Sequence, residues 1–145
     1  MGLDMYLFKR KKKTNEKDQE IMYWRKANQI RGWFENELGG LENCKDTPVS
    51  KKNLIDLKND CEEIIETAGF FDKEHNIKDI PNDYEADEQL KAYLDEKLPS
   101  QRGFFFGSYD YDIWYFENII ETYIKLEEIL NELHDDDEIY YYEWW

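Results

Sequence analysis

Along the first segment, GLDMYLFKR, the inward candidates Leu3, Met5 and Leu7 alternate with Asp4, Tyr6 and Phe8. That period of two predicts a β-strand with both faces partly apolar. The run from Lys9 to Glu20 has no apolar residue and predicts an exposed loop. From Glu20 to Leu38 the spacing changes: Tyr23, Ala27, Ile30 and Phe34 recur at helical intervals beside Trp33 and Leu38. This predicts an amphipathic helix stopped by Gly39-Gly40. Ser50 is placed to cap a second helix with Leu54, Leu57, Cys61, Ile64, Ile65 and Ala68 as its stripe, ended by Gly69. Residues 72–83 predict a loop, and Tyr84 to Leu98 a short acidic helix with Leu90 and Leu94 facing in. A long helix follows from about Asp112, the cap, to Leu133. Asp135 to Asp137 predict a turn, and Ile139, Tyr141 and Glu143 alternate with Tyr140, Tyr142 and Trp144 as a final strand.

Two terminal strands of similar length predict an antiparallel pair. The expected fold is α+β, about four helices packed on a small antiparallel sheet formed by the N- and C-terminal strands. Phe104 to Phe106 are a candidate third strand, since aromatics favour sheets and flanking glycines favour turns. With 145 residues and no repeat or linker, residues 1–145 are expected to form a single domain.

Composition changes this picture in one respect. The net charge is −15, and it is uneven: residues 1–58 carry 13 Lys/Arg against 9 Asp/Glu, residues 59–145 carry 6 against 25. Such asymmetry predicts an electrostatic face that repels nucleic acid and attracts basic proteins. Aromatics at 17% supply material for a packed core. No apolar run reaches the roughly 18 residues needed to span a bilayer, and the N-terminal residues lack the order of a secretory signal. No membrane association is expected. Cys44 and Cys61 are expected to be free thiols, Cys61 in the core.

No nucleophile elbow, P-loop, dinucleotide-binding or zinc-protease motif is present. Asp110 and Asp112 have a spacing that some hard-cation sites use, but the pattern is weak alone. His75 and His134 stand apart from any cysteine at zinc spacing. No catalytic residue, metal or cofactor is therefore assigned.

Three candidate sites remain. Read on one helix, Trp24, Asn28 and Arg31 fall on one row near Arg25; with Tyr111 they make a candidate ligand pocket in which arginines fork a phosphate or carboxylate. The segment GFFFGSYDYD, Gly103 to Asp112, reads mainly as core, with Phe105, Tyr109 and Tyr111 the residues best placed to reach a surface. The third candidate is acidic: Asp83, Glu85, Asp87, Glu88, Asp95 and Glu96 on and beside the short helix, and Asp135, Asp136 and Asp137 as a second cluster. Carboxylates on rigid helices can imitate the charge of a nucleic-acid backbone and occupy a basic channel.

The segments GLDMYL, YWRKANQIRGWF from Tyr23, PVSKKNL from Pro48, LPSQRGFFFGSYDYDIWY from Leu98 and the aromatic C-terminus, taken in order, resemble a family of small proteins found widely in phages and prophages. The resemblance implies phage origin and no particular chemistry. This chain departs from the family pattern at Arg31, where a histidine is usual, and at Glu143-Trp144-Trp145, where small polar residues precede a last tryptophan. Its stretch from Phe70 to Leu98 is also longer and more acidic.

Small size, phage resemblance and the acidic half together lead to one expectation. The protein is an inhibitor of a host defence system in the bacterial cytoplasm, of the anti-CRISPR type, that blocks a basic nucleic-acid-binding nuclease without touching nucleic acid itself. The alternatives are a small-ligand or nucleotide-binding protein or enzyme using the Trp24–Arg31 pocket, and an assembly protein associating through Tyr140 to Trp145.

Overall fold

The computed structural model describes residues 2–11, 18–103 and 106–145. Their order is β1 (Asp4–Lys11), β2 (Gln19–Arg25), α1 (Asn28–Glu37), β3 (Thr47–Val49), α2 (Lys51–Thr67), α3 (Glu88–Lys97), α4 (Ile113–Glu132) and β4 (Asp137–Trp144). The fold is α+β, with four helices and a four-stranded antiparallel sheet in the order β2-β1-β4-β3. The two terminal strands pair at its centre, Met5 opposite Glu143 and Leu7 opposite Tyr141.

Period-two patterning decides which face is buried. Leu3, Met5 and Leu7 are fully buried, and the register sets Trp24, Met22, Tyr141 and Ile139 beside them. The helices cover this face, joining Ile30 and Phe34 of α1, Leu57 and Ile64 of α2 and Phe116 and Ile119 of α4 into one core. Full burial of each large side chain contributes roughly 1.5–3 kcal/mol. The other face carries Tyr6, Phe8, Tyr23 and Tyr142, whose rings contact one another at centroid distances of 5.2–6.4 Å.

The caps work as their chemistry predicts. Ser50 and Asn53 form a reciprocal capping box at α2, and Asp112 accepts the Trp114 and Tyr115 N–H groups at α4. Asp87 caps α3 through the Leu90 N–H at 2.8 Å. That helix accordingly begins at Glu88, not at Tyr84.

Residues 20–38 are not one helix. Gln19–Arg25 is a strand paired with β1, and the helix starts only at Asn28. Lys26 lies between them at φ 55°, a left-handed conformation through which no right-handed helix continues. Ala27, Ile30 and Phe34 keep their buried row on and beside α1, whereas Tyr23 points to the opposite side of the sheet and is exposed. Lys9 to Lys11 and Gln19 to Glu20 likewise belong to strands, not to a loop. Phe104 and Phe105 of the proposed third strand lie outside the described residues; Phe106 sits in a bend, and β2 and β3 complete the sheet. Asp137 opens β4 and is not part of the turn.

Cys44 and Cys61 are free, and burial pushes the Cys61 thiol well above its ordinary range. Among the described residues, no helix is long and apolar enough to cross a membrane.

Candidate functional site

Glu143 occupies the third inward position of β4, after Ile139 and Tyr141, and is fully buried. A carboxylate there requires a partner. Arg31 supplies it from α1: its Nε lies 3.0 and 3.1 Å from the two carboxylate oxygens. The Tyr141 hydroxyl (2.9 Å) and the Trp145 indole N–H (2.6 Å) also donate to Glu143. The remaining face of Arg31 is used as well, its Nη1 donating to Glu35 and Gln101 and its guanidinium resting 4.9 Å from the Phe106 ring centre. Arg31 and Glu143, on α1 and β4, are in direct contact. One buried charge accounts for the other.

Asn28 does equivalent work for the neighbouring loop. Its amide donates to the carbonyls of Phe106 (3.0 Å) and Ser108 (2.8 Å), and its oxygen accepts the Gln101 N–H at 2.9 Å. The glycines of the loop have a steric reason. A Cβ on Gly103 would lie 2.4 Å from the Phe106 ring, and Gly107 has φ +83°. Gly103→Ala is therefore expected to push Phe106 from beneath Arg31 and cost about 1–3 kcal/mol, read as a lower urea midpoint with an unchanged slope.

Around these anchors lies an open cleft of about 590 Å³ between the end of β2, the residues after Ser100 and the first half of α4. Its cationic side is Arg25 and Lys26, its acidic side Asp110, Glu117 and Glu121, and Trp114 stands at its rim, 68% exposed. Of the five residues expected to form a ligand pocket, Trp24, Arg25 and Asn28 line this cleft. Trp24 is buried, with its indole N–H donated to Thr122 at 2.8 Å, and the Asn28 amide is committed to the loop. Arg25 is exposed, 3.7 Å from Asp4. Arg31 belongs to the buried network.

Tyr111 lies on a neighbouring depression with Glu85, Tyr109 and Asp110, its hydroxyl donated to Asp95 at 2.5 Å. Burial and that carboxylate push its phenol up to about 12. Tyr109 is exposed, Tyr111 half-buried, and Phe105 lies outside the described residues.

The acidic candidates separate into two groups. Asp83, Glu85, Asp87, Glu88, Asp95 and Glu96 are all exposed on or beside α3, with Asp87 engaged as the cap and Asp95 by Tyr111. Asp135 and Asp136 are exposed at the other end of α4. Because Glu85 bridges Asp112 at the start of α4, the groups are separated by about 30 Å, the length of a 20-residue helix. Asp137 departs from its expected role. Its side chain is 0% exposed; one oxygen accepts the His134 N–H at 2.9 Å and the other faces Lys11 at 3.7 Å. Burial opposes its charge, but the His134 hydrogen bond and the lysines outweigh it and hold the carboxyl below its usual range.

Glu117, Glu121, Glu128 and Glu132 were not among the candidates, although their spacing of four, seven and four places them on one flank of α4. Among the described residues, no group of three or more His, Cys, Asp or Glu side chains is arranged to hold a metal. No family model, curated protein or solved structure matches the chain.

Proposed function

We propose that the protein is a phage-encoded, non-enzymatic inhibitor that acts in the host cytoplasm by binding a basic nucleic-acid-binding nuclease of a defence system, in the manner of an anti-CRISPR protein. The observation that carries this reading is the face built by α3 and the residues leading into it. Glu85, Glu88, Glu96 and Asp110 stand exposed there, and Lys91, 3.7 Å from Glu88, is the cation nearest that carboxylate. Lys97 is turned away to Asp60 and Glu63. A carboxylate array of this kind, on and beside a helix, competes with phosphates for a cationic channel and is released by salt.

The test is DNA cleavage by purified guide-dependent nucleases with the protein added. Inhibition is expected to weaken as salt or competing DNA is raised. Glu85→Lys, Glu88→Lys and Glu96→Lys combined should reduce it at least about tenfold, a loss of ~1.4 kcal/mol in binding. These three positions spare the Asp87 cap and the Asp95–Tyr111 bond, so the variant keeps its fold. Full inhibition by the triple variant removes the charge-mimic reading.

The cleft favours a second reading, a small anionic ligand held by Arg25 and Lys26 with Trp114 alongside. A thermal shift on adding nucleotides or carboxylic acids, lost in Arg25→Ala, would move the assignment there.

A further inference from the structure

Strand β2 is the edge of the sheet: among the described residues it pairs with β1 alone. The Lys26 N–H donates to the Leu3 carbonyl at 2.7 Å, which fixes the parity of the ladder. In an antiparallel pair, alternate residues turn their N–H and C=O toward the partner. Trp24 and Met22 therefore bond toward β1, and the main-chain groups of Tyr23 and Arg25 point outward. Such groups are a ready template for another strand. A bulge at Ile21, between the Leu7–Met22 and Phe8–Glu20 pairs, blunts only the far end of this edge.

The space beside that edge is a shallow, solvent-open groove. The large cleft shares Tyr23 and Glu121 with a depression of about 310 Å³ lined by Met22, Ile124 and Lys125. Lys125 is shared in turn with a third, of about 150 Å³, that reaches Gln19, Glu128 and Glu132. One continuous trough thus follows β2 along the flank of α4. Its two walls match in length: seven strand residues span roughly 23 Å, and Glu117 to Glu132 span about 22 Å of helix.

The wall chemistry selects the occupant. The helix contributes Glu117, Glu121, Glu128 and Glu132, with Trp114 and Ile124 exposed beside them. The trough's cations are fewer than its carboxylates: Arg25 and Lys26 stand at one end and Lys9 at the other, and Lys125 between them already lies 3.5 Å from Glu128. Partial burial first, and then the adjacent Glu117, push the Glu121 carboxyl up.

We propose that this trough receives an extended polypeptide segment rich in lysine or arginine, which adds to β2 as a fifth strand and points alternate basic side chains at α4. Main-chain bonds to Tyr23 and Arg25 provide the docking, and the glutamate row provides the selectivity. A second copy of this chain is a poor occupant, because its own net charge is −15. The trough meets the α3 face only at Asp110 and Asp112, which neither set of substitutions alters, so this inference and the inhibitor reading fail independently.

The probe is an end-blocked eight-residue peptide alternating lysine and valine, titrated at low salt. Two N-methylated versions go with it, one blocking every lysine amide and one every valine amide. The parent should bind, and one N-methylated version should bind at least about tenfold more weakly while the other is little changed, because an added strand uses alternate amides only. Glu121→Lys with Glu128→Lys should weaken the parent by a similar factor, and the α3 triple variant should bind it as the unaltered protein does. Equal binding of both N-methylated peptides overturns strand addition. So do absence of parent binding, an unaffected groove variant, or a sedimenting dimer that the peptide cannot dissociate.

Discussion

Arg31→Ala is expected to destabilise the protein by about 3–5 kcal/mol, because it strands a buried carboxylate. For a chain of this size each kcal/mol moves the melting temperature by roughly 2–4 °C, so a fall of roughly 6–20 °C should be seen by calorimetry. Glu143 would keep the Tyr141 hydroxyl and the Trp145 indole as donors but lose the one cationic partner it has at hydrogen-bond distance among the described residues. Arg31→His should recover little, since a shorter side chain cannot reach Glu143, Glu35 and Gln101 together. The decisive comparison is a double-mutant cycle in urea. Arg31→Leu with Glu143→Leu should be clearly less destabilised than the sum of the two single changes, because no buried charge then remains unpaired. Additive losses would mean that the two side chains merely fill space.

Asn28→Ala should cost about 2–3 kcal/mol through a different mechanism. It leaves the Phe106 and Ser108 carbonyls and the Gln101 N–H without partners at once. The loop they hold would open locally before the domain unfolds, so hydrogen exchange at Gln101 should quicken and trypsin should cut after Arg102 sooner. Asn28→Asp separates the specific claim from generic packing. It preserves shape and the acceptor for Gln101, yet sets a carboxylate against two carbonyl oxygens. It should be at least as destabilising as alanine, and a stable Asn28→Asp protein would refute the role assigned to the amide.

The elements that the sequence revealed are those whose pattern and punctuation agree. In α2 and α4 an apolar stripe of period 3.6 starts at a capping residue, Ser50 or Asp112. In β1 and β4 strict alternation marks one face. Strand β2 was hidden because Tyr23, Ala27, Ile30 and Phe34 happen to fall at helical spacing across a break. The break itself is made by Lys26, and a lysine in a left-handed conformation gives no warning that a glycine would give.

The candidate site was legible by segment more than by role. The Trp24–Asn28 stretch and the loop after Leu98 do meet at one cleft, but Trp24, Asn28 and Arg31 spend their polar atoms inside the protein. Arg31 and Glu143 are 112 residues apart, and no local spacing connects them. Glu143 did leave a signal, a carboxylate at an inward position of an otherwise apolar alternation. The glutamate row on α4 was passed over because a charged helix face is usually only solvated; its meaning depends on a strand edge that the helical reading of residues 20–38 had removed.

The central pairing of β1 with β4 also sets the timing of folding. The hairpin of β1 and β2 needs only about two dozen residues, whereas the other side of β1 must wait for a strand that begins at Asp137. During synthesis at roughly 5–20 residues per second, that second edge of β1 stays open for several seconds at least. Closure then depends on contacts between residues more than a hundred positions apart, which slows the search. A nascent hairpin with one side of β1 unpaired is a species that chaperones, or a second unfinished chain, can capture.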